Sequence, residues 1–399
     1  MGKETPPKFV LFWICLTILC VSSAALLIDR IYSLTYLLTF LSKLFFLISA
    51  LACIAISLTN HFLGREKTIA IIINVSVIAV TVILLTMIGE FSARFAFRDI
   101  MSTNDNSSYF CIRGYKKDIH LNSLGYREKE FEIIKPTNRY RIAVIGDSFT
   151  FGQGIQVTDR FSNVLEKSLN DRTDKFEVLN FGVPGSESVD HLRTLKNTVL
   201  GLHPDFILLQ WFINDFEGHD KEDRPHSLPL IPGIWLRKRL HEHSVLYFLA
   251  NKQWQQIQLK IGMTGNYIDY MKERFGNADN EDVQDGLSLL KSMIQICRDR
   301  NVEFGIVLFP ILHDALNEDY PFAYLHRYVI DVCLQENVPF LDLREVFSRI
   351  ENSQSLWVNP LDSHPGKQAN LIAATAISDL FSPHWFAELE PLLPVIKEK

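Results

Sequence analysis

Tyr140-Arg141-Ile142-Ala143-Val144-Ile145-Gly146-Asp147-Ser148-Phe149-Thr150-Phe151-Gly152 is the stretch that decides the fold. A short run of strand-type residues, apolar except at Arg141, passes without a break into Gly-Asp-Ser. The chain must turn sharply there, and such a turn can expose the Ser148 hydroxyl. Far downstream, Leu361-Asp362-Ser363-His364-Pro365-Gly366 sets a carboxylate and an imidazole two positions apart. A serine hydroxyl is a poor nucleophile at neutral pH. It needs a base, and the base needs an acid to hold it. Ser148, His364 and Asp362 supply these groups and predict serine-dependent acyl chemistry. A plainer reading stands beside this one, since Asp and Ser both favour helix starts. On that ground Asp147 reads as a turn and hydrogen-bonding residue rather than an acid.

Outward from this stretch, short apolar segments alternate with helical ones. Strands are expected at 141–145, 176–180, 206–211, 303–309 and 340–343, each as continuous as a buried parallel strand should be. Helical periodicity runs over 160–169, 188–200, 283–300 and 324–335, and a last helix over 367–380. The alternation predicts an α/β fold with a doubly wound, mostly parallel, five-stranded sheet. In such sheets the site lies at the carboxyl ends of the strands. Asn180-Phe181-Gly182 ends the second strand, where a glycine lets its N–H approach a substrate oxygen. Asn214-Asp215 ends the third, where an asparagine can donate from its side chain. Acyl transfer needs donors aimed at the developing oxyanion, each worth about 3–4 kcal/mol. Three strand ends thus offer a nucleophile, a backbone donor and an amide donor.

The first ninety or so residues have a different character. The chain of 399 residues is 47% apolar, with a mean hydropathy of +0.07, and the excess is concentrated at the amino end. A helix needs about 20 apolar residues to cross a bilayer. Stretches at 9–28, 36–58 and 68–89 qualify, so residues 1–98 are expected to form a membrane region of three transmembrane helices. Lys43 interrupts the second, at a cost of about 2.5–3.5 kcal/mol if held at the bilayer centre. It stands about two turns from one end and can snorkel. The first stretch is longer than a signal-peptide core, which favours an uncleaved anchor. Lys3, Lys8, Arg65 and Lys67 on one side, against Arg30, Arg94 and Arg98 on the other, place the amino terminus in the cytoplasm and the large domain outside. The protein is then a multi-pass membrane protein. Residues 99–139 read as linker and lead-in, 140–385 as the enzyme domain, and 386–399 as a tail. Residues 218–281 are too long for a plain connection and read as a helical insertion near the active-site face, a lid, a membrane-facing surface or simple packing. The net charge of −6 gives no basic footprint for nucleic acid. The six cysteines form no ligand pattern.

The motifs resemble those of the SGNH (GDSL-like) hydrolase superfamily. GDSFTFGQG (146–154) looks like its first block, NFGVPG (180–185) its second, FIND (212–215) its third and DSHPG (362–366) its fifth, in matching order over about 140–380. The resemblance implies an SGNH/flavodoxin-like fold. It implies Ser148 as nucleophile, His364 as general base and Asp362 as its orienting acid. It also implies an oxyanion hole built from the N–H groups of Ser148 and Gly182 and the amide of Asn214. Two departures stand out. The Asp-x-His spacing is shorter than the usual Asp-x-x-His and looks like that of some membrane-linked and glycan O-acetylation branches. Phe212 stands where a glycine is usual, which should narrow the site or change its entrance.

The expected activity is ester hydrolysis by a membrane-anchored serine enzyme, on an acylated small molecule, envelope glycan or lipid, with no metal or organic cofactor. An O-acyltransferase acting on an envelope polysaccharide would share every residue. An inactive glycan-binding assembly factor is the alternative from another class, and the intact Ser-His-Asp set argues against it. Asp215 reads as structural. Arg127, in Asn122-Ser123-Leu124-Gly125-Tyr126-Arg127, reads as a surface ion-pair residue or an anion-binding group. His191, His203 and His219 read as surface or turn residues.

Overall fold

The computed structural model describes residues 65–96, 119–217, 224–231, 233–360 and 362–389. The expected spans at 9–28 and 36–58, with Lys43, lie outside the described residues. So do His219 and residues 390–399 of the expected tail at 386–399, whose first four residues instead continue the last helix. Contacts divide the chain into two compact units, Met1–Asp99 with Pro229–Trp254, and Ile100–Leu228 with Gln255–Lys399.

In the first unit, helix α1 (Arg65–Ala96) carries the third apolar stretch. Its segment Ile69–Ala96 is long and apolar enough to cross a membrane. From Ile69 to Ile88 it is largely apolar, and its described side chains are exposed on every face: Ile73, Val77, Leu84 and Leu85 are all more than half exposed. The core helix of a soluble domain buries a stripe instead.

The second unit holds a parallel sheet. Strand β1 (Tyr140–Gly146) leads into the one-turn helix α2 (Ser148–Phe151), then α3 (Phe161–Asn170), β2 (Phe176–Gly182), α4 (Ser188–Asn197) and β3 (Phe206–Trp211). The inserted segment follows, with α5 (Ile234–His243) and the greater part of α6 (Val245–Lys260) in the first unit and α7 (Tyr267–Phe275) in the second. The sheet resumes through α8 (Glu281–Asp299), β4 (Glu303–Leu308), α9 (Ala323–Glu336) and β5 (Phe340–Asp342), and the short helix α10 (Leu343–Phe347) comes next. A hairpin of β6 (Trp357–Asn359) and β7 (Asp362–Pro365) then precedes the last helix, α11 (Lys367–Leu389).

The five strands lie in the order β2-β1-β3-β4-β5, all pairs parallel. This is the flavodoxin-like order. Every residue of β1 and of β3 is buried, as strands covered by helices on both faces must be. The chain steps from β1 to β2 in one direction and then returns past β1 to β3. Right-handed crossovers place α3 on one face and α4, α8 and α9 on the other. α11 packs on α3, and α8 packs on α4 and α9. The reversal makes the carboxyl end of β1 the switch point, where such sheets keep their sites.

Two helices differ from their expected extents. The segment expected to be helical to Leu200 ends at Asn197 and continues as a 3-10 turn over Val199–Leu202. α11 runs to Leu389, past Pro383, which cannot donate a helical hydrogen bond. Burial offsets that cost: Phe381, Trp385 and Leu389 continue one stripe at i, i+4 and i+8, and Trp385 stacks on Phe381 with ring centroids 5.6 Å apart.

Candidate active site

Ser148 is the first residue of α2, and Asp147 is its cap. The Phe149 N–H donates to Asp147 Oδ1 at 2.8 Å, which turns the chain directly off β1. The turn is held from below. Arg127 is buried and donates to the carbonyls of Phe151 (3.1 Å), Gly152 (2.7 Å) and Ile155 (2.8 Å). It is therefore neither a surface ion pair nor an anion site, because its guanidinium is spent on the loop that follows the serine. Arg160 donates to the Arg127 carbonyl and pairs with Glu128 at 3.2 Å. Burial pushes the Glu128 carboxyl up, against the pull of Arg160. Gly154, with φ 83°, adopts a conformation that favours glycine, and a Cβ there would meet Val358 of β6 at 2.5 Å.

The hairpin delivers the other two groups. Asn359 pairs with Asp362, and Trp357 Nε1 donates to the Leu312 carbonyl at 2.9 Å, tying the hairpin to the loop after β4. Asn370, fully buried in α11, accepts from the Phe161 N–H (2.9 Å) and donates to the carbonyls of Pro365 (2.8 Å) and Gly366 (2.9 Å). One carboxamide thus fixes the residues just after His364 to the start of α3. No motif or spacing in the sequence marks Asn370.

The result is a continuous relay. Ser148 Oγ stands 3.0 Å from His364 Nε2. His364 Nδ1 stands 2.5 Å from Asp362 Oδ1, which also accepts the His364 backbone N–H at 3.1 Å. A carboxylate at that distance calls for the tautomer with its proton on Nδ1, leaving Nε2 as the acceptor facing the serine. Asp362 is buried, while His364 keeps about a quarter of its side chain exposed. The short Asp-x-His spacing therefore closes without strain, because both residues lie on one strand of a hairpin. Phe149 stands edge-on to the His364 ring at 5.4 Å, and Phe212 packs tilted against Phe149 at 4.5 Å. The residue that replaces the usual glycine thus forms part of an apolar wall beside the imidazole.

The chain belongs to the GDSL-like lipase/acylhydrolase family. The profile of that family matches residues 144–371, more than half of the chain, and spans all four motifs and the relay. No curated protein sequence matches the chain. Among solved structures it is similar to a lipase/acylhydrolase from Enterococcus faecalis (13% identity, 61% of this chain and 96% of that chain, TM-score 0.38). It is also similar to a catalytic mutant of an acetylxylan esterase from Geobacillus stearothermophilus (15%, 62% and 95%, TM-score 0.38). A third is an alpha/beta hydrolase from the metagenome of Lake Arreo, Spain (15%, 61% and 95%, TM-score 0.39). As a member of the family, the protein is an SGNH-type esterase/acylhydrolase.

The expected oxyanion donors are in different states. The Ser148 N–H donates to no described group. Asn214 stands in the 3-10 turn Ile213–Phe216 with its Oδ1 buried and unpartnered, and its Nδ2 donates to no described group. Gly182 differs from the expected free donor, because its N–H is engaged by Asn180 Oδ1 at 3.0 Å. The glycine is needed there for another reason: a Cβ at 182 would meet the Phe151 nitrogen at 2.3 Å. Asn180 also donates to the Thr150 carbonyl and to Ser162 Oγ, both at 2.7 Å, so it clamps β2 to α2. Three residues on, Gly185 is exposed with φ 76°.

His191 is the clearest difference from the sequence reading. It is buried on α4, and its Nε2 stands 3.0 Å from Asp215 Oδ1, an ion-pair distance without hydrogen-bond alignment. Asp215 Oδ2 accepts the Phe212 N–H at 2.8 Å, which fixes the turn carrying Asn214. Burial alone would push the His191 imidazolium down. The carboxylates of Asp215, Asp147 and Asp190 outweigh it, and the net direction is up. His203 is a turn residue as expected, in the left-handed region at φ 53°.

Burial pushes the Asp147 carboxyl up to about 6, helped by Asp215 and opposed by the Phe149 N–H, His191 and His364. Its folded pKa lies above the unfolded value of about 3.9, so the native state holds a proton that the unfolded chain has lost. Stability from this group is full below about 4 and is lost as pH rises through about 6, about 3 kcal/mol in all. Asp147→Asn keeps an acceptor for the Phe149 N–H and removes the charge. It is expected to raise Tm more at pH 7.5 than at pH 4.5; an equal gain at both would show that the buried charge is not the cause.

Glu303, His384 and Glu388 bring potential metal-ligating atoms within 4.8 Å of one another. Glu303 begins β4, at the sheet edge opposite Ser148, and its Oε2 already bonds His384 Nε2 at 2.6 Å. The cluster plays no part in the chemistry at Ser148.

Proposed function

We propose that the protein is a membrane-anchored serine ester hydrolase acting through an acyl-enzyme on Ser148, with an acylated envelope glycan or lipid as its substrate class. The observation that carries this is the unbroken relay from Ser148 Oγ to His364 Nε2 and from His364 Nδ1 to Asp362 Oδ1. His364 accepts the serine proton as Oγ attacks the ester carbonyl, and Asp362 holds the imidazolium that forms. The oxyanion falls to the Ser148 N–H and the Asn214 amide. The Gly182 N–H joins them only when Asn180 releases it, and Gly185 is an exposed residue of the same turn. The alcohol leaves with the proton from His364. Water then attacks the acyl-enzyme by the reverse relay.

Asn214→Ala is expected to lower kcat by about 10²–10³ with a smaller change in KM, because an oxyanion donor acts mainly in the transition state. An effect confined to KM would make Asn214 a substrate-binding residue.

O-acyltransfer to an envelope polysaccharide uses the same relay, with a sugar hydroxyl in place of water. The short Asp-x-His spacing, shared in the resemblance with glycan O-acetylation branches, is what favours keeping it. A panel of p-nitrophenyl esters sets the acyl length. Measuring acetate release against transfer to an oligosaccharide then separates hydrolysis from transfer. Activity with no ester and no labelling by a fluorophosphonate would favour the assembly-factor reading. For the anchor, the support is α1, together with the apolar stretches before it. For a catalytic domain outside the cytoplasm, the support is the distribution of Lys and Arg around the apolar stretches.

A further inference from the structure

The inserted segment Pro229–Trp254 belongs to the same compact unit as α1, and one carboxylate joins them. Glu90 stands one residue past the apolar stretch of α1 and is buried. Its Oε2 accepts from Ser244 Oγ (2.8 Å) and the Leu246 N–H (3.1 Å). Its Oε1 accepts from the Val245 N–H (3.2 Å) and from Arg94 Nε (2.7 Å). Glu90 is therefore the amino-terminal cap of α6, supplied from a different helix. Arg94 completes the joint by donating to the His243 carbonyl at 2.5 Å, at the end of α5. One turn of α1 thus satisfies the end of α5 and the start of α6 together. Behind this joint the helices touch closely, since a Cβ at Gly89 would stand 3.1 Å from Leu246 Cδ2.

The height of this joint follows from the length of α1. From Ile69 to Gly89 the helix rises about 30 Å, the thickness of the hydrocarbon core. If that stretch spans, Glu90 stands at the headgroup level, and α5 and α6 meet there. The chemistry of α5 suits the same level. Ile234 is 75% exposed and Trp235 63% exposed, at its first turn. Arg237, Lys238 and Arg239 follow at once, and Lys252 lies on α6. Between Pro229 and Trp254 only Glu242 opposes these four cations, in a chain whose net charge is −6. The field they create is felt locally: burial pushes the His241 imidazolium down, and Arg237 and Lys252 push it further. Apolar residues with a tryptophan beside a basic cluster are what a helix lying in a membrane interface presents.

We propose that Pro229–Trp254 is an interfacial element that lies on the leaflet from which the Glu90 end of α1 emerges, inserts Ile234 and Trp235, and binds anionic lipid headgroups through Arg237, Lys238 and Arg239. The inference rests on the reading of α1 as a membrane span. Each cation near an anionic surface strengthens binding about five-fold, so the element binds such a leaflet far better than a neutral one. It would hold the insertion at the lipid surface.

The test uses the full chain with its native cysteines replaced, reconstituted in phosphatidylcholine vesicles with and without phosphatidylglycerol. A nitroxide is attached through Ile234→Cys, or through Leu84→Cys in the apolar part of α1. With phosphatidylglycerol present, the label at 234 is expected to be reached by oxygen in preference to a water-soluble nickel chelate. Arg237→Glu with Lys238→Glu should return it to water. A label at 234 that stays in water in both vesicles, while that at 84 reads as lipid, overturns the interfacial element alone. A label at 84 that reads as water overturns the span itself. Lipid immersion of 234 that is indifferent to phosphatidylglycerol and to the charge reversals overturns headgroup recognition.

Discussion

Ser148→Ala is expected to abolish ester hydrolysis and fluorophosphonate labelling while leaving the fold intact. Removing the nucleophile of a comparable serine triad lowers kcat on the order of 10⁶-fold. The fold should survive because the serine hydroxyl has one described partner, His364 Nε2. The Asp147 cap on Phe149, which makes the turn, does not use it. The nearest rival by position is Ser186, in the turn after β2. It is buried, and its one hydroxyl proton lies between the carbonyls of Val183 (2.7 Å) and Gly146 (3.1 Å). It has no base and no exposure. Labelling that persists in Ser148→Ala would therefore remove the assignment of the nucleophile, since no second serine among the described residues is hydrogen-bonded to a histidine base.

The sheet and the relay were legible because each rests on a local pattern. Five continuous apolar runs read as buried strands, and all five are the strands of the sheet, within two residues at each end. Ser148 and the Asp362–His364 pair were legible because a strand-end serine and an Asp-x-His element each carry their chemistry in a few adjacent residues. The supports were harder to see, for a physical reason. Arg127, Asn180 and Asn370 act on backbone carbonyls and N–H groups 24 to 209 residues away, and no spacing rule announces such a partner. Burial consumes their polarity, so they look like surface residues in the sequence and behave as core in the fold. His191 is different, because a signal was there. Ser188, His191 and Leu195 are the buried residues of α4, at i, i+3 and i+7, and that stripe puts the histidine on the face turned to the protein. The state of Gly182 could not be read at all. Its N–H is taken by a side chain two residues back, which is a matter of one rotamer of Asn180.

Asp362→Asn tests the remaining member of the relay, and its expected effect is a loss of about 10⁴ in kcat, as in a comparable triad. The carboxylate does two things with one oxygen: Oδ1 accepts from His364 Nδ1 and from the His364 N–H. The other oxygen, Oδ2, is buried with no partner among the described residues. An amide offers one oxygen and one NH₂, and neither orientation serves. With its oxygen toward Nδ1, the NH₂ is buried without an acceptor, at a cost of about 1–3 kcal/mol. With its NH₂ toward Nδ1, that nitrogen must become the acceptor, and the proton moves to Nε2. Nε2–H then points at Ser148 Oγ, and the nucleophile has lost its base. KM should change little, because Asp362 is buried beneath His364 and does not face the substrate. Fluorophosphonate labelling should slow in parallel with kcat, since it uses the same activated serine. A variant that keeps more than a tenth of its activity would mean that another acid orients His364. Asp147, whose charge is felt at the same imidazole, is the group to remove next, and a collapse of activity only in the double variant would assign it that role.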